Sequence, residues 1–146
     1  MKKILVLVCL VFFLGALVSA EQAAADRFVN NNDGTVTDTI IGLMWADKDN
    51  GSNINWYNAK SYCEGYSGGG KTGWRMPTIG ELQQLDKSGA YDGHVIKKTG
   101  YGYGVIWSSS TRGSDAASFY FGQGVWLWNY KSSDNITRAL PVRSGN

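Results

Sequence analysis

The longest apolar run in the chain spans residues 4–18 without a charge, behind Met1-Lys2-Lys3 and ahead of Val18-Ser19-Ala20. A positive start, an apolar middle and a small-x-small end mark a secretory signal peptide. The run is also shorter than the ~20 residues a membrane-spanning helix needs. Cleavage is expected after Ala20, with Ala23 to Ala25 as alternatives. Residues 21–26 then form a disordered polar leader and residues 27–146 one domain.

From Arg27 onward the pattern changes period several times. Residues 27–38 read as a hairpin around Asp33-Gly34, where glycine supplies the positive φ of a tight turn and Thr35-Val36-Thr37 favours strand. Leu43-Met44-Trp45 is a short apolar strand. Trp56, Ala59 and Cys63 recur at helical spacing behind Asn55, a capping residue, and Gly65 ends that helix. A second helix starts behind Pro77 with the capping box Thr78-x-x-Glu81, turns Leu82 and Leu85 inward and runs to about Lys87. A polar, glycine-rich excursion follows over 88–104. Four short runs, 105–108, 117–121, 125–130 and 136–143, predict a meander with turns at 122–124 and 132–135. Pro141, lacking an N–H, makes the last run an edge or bulged strand.

The charge changes the picture little. The 146-residue chain has 14 basic and 12 acidic side chains. Removing residues 1–20 takes Lys2 and Lys3 and leaves 12 against 12, so no basic stripe calls for nucleic acid. Cys9 leaves as well, and Cys63, on the apolar helix face, is expected to be buried rather than paired with another chain. All six tryptophans stay in the mature part, which suits a loop-rich, strand-containing fold with a rigid aromatic core.

Several chemistries fail on context. Gly65-Tyr66-Ser67-Gly68-Gly69-Gly70-Lys71-Thr72 matches the phosphate-loop pattern G-x-x-x-x-G-K-[ST]. A phosphate loop leaves a strand and opens into a helix; here a helix precedes it and Pro77 blocks an immediate one. An exported protein also meets little ATP, so the segment reads as a flexible connection with Lys71 solvated and no nucleotide as partner. Asn31-x-Asp33-Gly34 fails as a calcium loop at its first and twelfth positions, Val29 and Ile40. His94, the only histidine, makes neither a zinc site nor a triad with Cys63. No serine of Ser108-Ser109-Ser110 sits in a nucleophile elbow, and no catalytic residue, metal or cofactor is assigned.

The aromatic run is more informative. In a strand over 125–130, Trp126, Trp128 and Tyr130 share one face and Val125, Leu127 and Asn129 the other. One face can be core. The other is either exposed for sugar rings or a protein partner, or is itself core or dimer interface.

Spread along the chain are Arg27-Phe28, Asp33 to Asp38, Gly42 to Trp45, Tyr62-Cys63, Trp74 to Thr78, Glu81-Leu82, Trp107-Ser108-Ser109 and Val142-Arg143. In this order they resemble the Lcl C-terminal domain family, a bacterial exported module named from a collagen-like adhesin. The resemblance implies an α+β, C-type-lectin-like fold with two helices flanking a small, mostly antiparallel sheet. It also implies export, a binding role (toward sulfated glycans in the adhesin) and no catalytic residues. It makes Trp74-Arg75-Met76-Pro77 a structural signature. Where family members often carry a second cysteine, this chain has Ala139-Leu140-Pro141; a collagen-like repeat and the lectin calcium motifs are absent.

The expectation is therefore a non-enzymatic exported module, secreted, periplasmic or at the cell surface, binding a glycan, surface polymer or protein. Arg112, Tyr120, Trp126, Trp128, Asn129 and Tyr130 would form its ligand surface. The alternative is a structural subunit that self-associates into homo-oligomers through the same aromatics; low net charge permits this.

Overall fold

The predicted hairpin is formed by β1 (Phe28–Asn30) and β2 (Thr35–Asp38), antiparallel with Phe28 opposite Asp38. These coordinates are a computed structural model that describes residues 27–99 and 104–146. The expected signal peptide and leader lie outside the described residues. Gly34 takes φ +87° in the turn, as its sequence position requires. β2 also pairs with β3 (Leu43–Ala46), which places β2 in the sheet interior. Asp38 at its end is fully buried. Arg27 holds both carboxylate oxygens, at 2.8 and 2.6 Å, and Ile40 N–H donates at 3.1 Å. A buried carboxylate persists only when its charge and lone pairs are matched in this way.

Both predicted helices form. In α1 (Trp56–Glu64) the Asn55 side chain accepts the N–H of Asn58, and Ala59 and Cys63 are buried. Burial pushes the Cys63 thiol up to about 12, so it behaves as a small apolar group. α2 (Ile79–Ser88) begins with the complete Thr78–Glu81 capping box and ends at Gly89 in the left-handed region.

The glycine segment between the helices is not a free connection. Gly68–Gly70 form one 3₁₀ turn, and Gly69 N–H donates to Asp33 O at 3.1 Å. The Tyr66 hydroxyl donates to Gly34 O at 2.7 Å. The loop therefore docks on the hairpin turn, and a Cβ at Gly69 would meet the Asp33 carboxylate at 2.8 Å. Close backbone approach is what its glycines provide. Lys71 is exposed, as expected.

Three of the four predicted meander runs form a second antiparallel sheet, β4 (Val105–Arg112), β5 (Asp115–Tyr120) and β6 (Val125–Tyr130). The fourth does not join as a strand. Arg138 instead exchanges backbone bonds with the outer edge of β4, and after Pro141 the chain enters β7 (Val142–Ser144). β7 pairs with β3, giving a four-stranded sheet in the order β1-β2-β3-β7. Proline, with no N–H to donate, sits where the chain passes from one sheet to the other and β7 is an edge strand. The architecture is α+β with two small antiparallel sheets rather than one.

The three-stranded sheet is the middle layer. Ile106 and Phe119 on one face pack with Leu82 and Leu85 of α2 and with Val36, Trp45 and Val142 of the four-stranded sheet. Trp107 and Ala116 on the other face pack with Ala59 and Cys63 of α1 and with Met76. The glycine-rich excursion also adds core, since Ala90, Tyr91 and Ile96 are buried. It is tied to Asp49, itself buried, by the Tyr91 hydroxyl at 2.8 Å, Thr99 N–H at 2.9 Å and the Thr99 hydroxyl. Among the described residues no helix is long and apolar enough to cross a membrane.

Candidate functional site

The two edges of the three-stranded sheet differ. Along β4 the outer edge is closed: Trp107 N–H donates to Arg138 O at 3.0 Å, Arg138 N–H to Val105 O at 2.9 Å, and Ser109 N–H to Pro77 O at 2.8 Å. Along β6 no strand lies outside it among the described residues. Lys131 N–H donates inward to Ser114 O at 2.9 Å. Alternation from there turns the backbone groups of Trp126, Trp128 and Tyr130 outward, the Tyr130 carbonyl being taken by Ser133 N–H at 2.9 Å.

Register then assigns each side chain to a face. Phe119 lies opposite Trp126, Ala117 opposite Trp128 and Asp115 opposite Tyr130, so the three aromatics share the α2 side. Val125, Leu127 and Asn129 share the α1 side with Tyr120 and Ser118. The inner strand buries both faces against the helices, but β6 lies beyond their reach. Val125, Trp126, Leu127 and Tyr130 are 43, 40, 51 and 70 % exposed, although every one of them is large and apolar or aromatic. The expected choice between a core face and a free face is resolved as neither: both faces of β6 are partly open.

The predicted site residues divide accordingly. Trp126 and Trp128 meet edge to face, with centroids 5.5 Å apart. The Arg112 guanidinium lies 4.5 Å over the Trp128 ring and 3.3 Å from Asp115, and Tyr130 shares this face. Arg112, Trp126, Trp128 and Tyr130 thus form one patch. Tyr120 and Asn129 do not join it. Tyr120 is half-buried on the opposite face, and the Asn129 amide donates to the buried Ser118 hydroxyl at 2.6 Å. Sequence reasoning omitted Val125 and Leu127, the exposed apolar pair of that opposite face; the alternation that grouped the aromatics identifies them equally well. The patch is held in place by α2, whose Asp86 accepts Gly122 N–H at 3.0 Å in the β5–β6 turn.

Stacking faces, an aromatic-bound guanidinium and the outward backbone groups of Trp126 and Trp128 can hold an extended ligand. Among the described residues no three metal-ligating side chains of the His, Cys, Asp and Glu type gather.

A family model of the Lcl C-terminal domain matches residues 34–143. The chain belongs to the Lcl C-terminal domain family. No curated protein was found to match the chain. In this Lcl C-terminal domain the Trp74-Arg75-Met76-Pro77 segment is architectural. Trp74 and Met76 are buried, Arg75 exchanges backbone bonds with Val142 at 2.9 and 3.0 Å, and its guanidinium grips Glu81 at 2.8 and 2.6 Å. Burial would raise the Glu81 carboxyl, but Arg75 and the Thr78 N–H outweigh it and hold the group below the ordinary carboxylate range.

Proposed function

We propose that this Lcl C-terminal domain is an exported, non-catalytic binding module of C-type-lectin-like fold that recognises a glycan or surface polymer through β6. The observation that carries the reading is a six-residue edge strand, Val125–Tyr130, with four exposed large apolar side chains and an arginine stacked beside them. Large exposed apolar surface on a soluble domain marks a place where something binds. Aromatic rings beside a guanidinium suit sugar rings, whose C–H faces stack and whose hydroxyls accept hydrogen bonds. The signal-like N-terminus favours a role outside the cytoplasm, secreted, periplasmic or at the cell surface. A glycan array probed with the protein, followed by calorimetry on the best ligand, tests the reading. Trp126→Ala and Trp128→Ala are expected to reduce affinity at least tenfold. Folded variants that bind unchanged overturn it.

A second reading rests on the open edge itself. Val125–Tyr130 carries no charge, proline or bulge, the features that normally protect an edge from pairing with another copy. Self-association through antiparallel β6 pairing predicts a concentration-dependent dimer in light scattering. A monomer at all concentrations removes it.

A further inference from the structure

On the α1 side of the molecule, apart from the aromatic patch, lies a cleft of about 290 Å³. Its walls come from three places. α1 gives Trp56, Lys60 and Glu64; the segment entering α2 gives Arg75, Met76 and Thr78; β4 gives Ser109 and Thr111. At its β4 wall the strand is irregular. Trp107 pairs with Ser118 and Thr111 with Ala116, so Ser108-Ser109-Ser110 stand opposite Ala117 alone. Such a bulge bends the strand and re-aims its side chains, a device common beside binding sites. The bulge is fixed on both flanks, by Ser109 N–H to Pro77 O and by the Ser108 hydroxyl to Ala117 O, each at 2.8 Å.

We infer that this cleft is a second binding site, for a single uncharged sugar ring. Its aromatic wall is pinned: Trp56 Nε1–H donates to Ser108 O at 2.9 Å, and Lys131 lies 5.1 Å over the ring. The charges of its own lining are paired, Lys60 with Glu64 and Arg75 with Glu81, and the Lys131 ammonium beside the ring donates to Gly113 O at 2.8 Å. Paired lining charges build no strong ion site, yet keep planar carboxylate and guanidinium edges that hydrogen-bond vicinal hydroxyls. Ser109 and Thr111 are exposed and make no side-chain hydrogen bond among the described residues, so their hydroxyls are free to bind. The volume sits at the small end of the ~300–1,000 Å³ typical of ligand pockets, which suits one ring rather than a chain.

The test is an NMR titration of the ¹⁵N-labelled protein with the methyl glycosides of glucose, galactose and mannose, with N-acetylglucosamine, and with inorganic sulfate. The Trp56 indole signal is identified from Trp56→Phe or, if that variant misfolds, by its through-space contacts to Lys131. At least one neutral sugar is expected to shift this signal and the Ser109 and Thr111 amides saturably. Thr111→Val is expected to weaken that binding about tenfold, the loss of a hydrogen bond or two. Trp126→Ala, which removes the proposed polymer contact at β6, is expected to leave the sugar-induced shifts in the cleft in place, so the two sites fail separately. The inference is overturned if no neutral sugar shifts these signals, if sulfate alone does, or if folded Thr111→Val binds as the parent protein does.

Discussion

β2 is Thr35-Val36-Thr37-Asp38, and three of its four side chains are enclosed; β6 is Val125-Trp126-Leu127-Trp128-Asn129-Tyr130, and four of its six are exposed. Judged by hydropathy alone the two strands would exchange places. β2 lies between β1 and β3, and every polar side chain it carries inward finds a partner. Asn31 donates to Thr35 and Thr37 at 2.9 and 3.0 Å, and Arg27 holds Asp38. β6 has a neighbour on one side only. The contrast teaches that burial follows a strand's place in its sheet. A polar strand can be central if its groups are satisfied, and an apolar strand left at an edge is a surface with a task.

The comparison breaks most sharply at Arg27. Arg27→Ala leaves the Asp38 carboxylate buried without its counter-charge, which typically costs about 3–5 kcal/mol. The urea midpoint is expected to fall accordingly, and a midpoint close to the parent's would show that β2 does not depend on this pair.

Acid probes the same principle at two further carboxylates. Burial would raise Asp49, but hydrogen bonds from Thr99, Gly51 and Tyr91 outweigh it and hold the group below its ordinary value; Glu81 is likewise low. A folded-state pKa below the unfolded one gives stability that is present above the unfolded value, near ~4, and is lost as pH falls through the folded value. Stability measured by urea unfolding should therefore be flat from neutral pH down to about 5 and decline below ~4. Asp49→Asn should flatten part of that decline and loosen residues 89–99, read by hydrogen exchange.

The smallest stability effect belongs to β6. Leu127→Lys places a charge on a half-exposed side chain at an open edge, and the melting temperature should move by the equivalent of about 0.5 kcal/mol or less. If β6 self-pairs, the same change should abolish the dimer in light scattering. A large loss of stability would instead mean that β6 is core, and the contrast with β2 would fail.

Local features were legible. Asn55, Gly65 and the Thr78–Glu81 box state where the helices begin and end, and Asp33-Gly34 states the hairpin turn, because each solves a backbone problem within a few residues. The division of residues 136–143 was not. One apolar run serves two sheets there, and only the positions of β4 and β3 divide it. Residues 88–104 read as polar loop because the partners that make Tyr91 and Ile96 core lie far along the chain, Asp49 among them. The glycine loop looked free because the Asp33–Gly34 turn it docks on is more than thirty residues earlier.

For the candidate site, the sequence by itself determined which aromatics share a face, since alternation in a strand is a local property. It also determined that Cys63 faces inward from its helix. Only the tertiary structure decided that β6 is an edge, that Asn129 turns to Ser118 while Arg112 turns to Trp128, and that the serine run of β4 bulges at the wall of a cleft that Trp56 also lines. Edge and interior are relations between strands, and free energy of burial depends on what stands opposite a side chain rather than on the side chain alone.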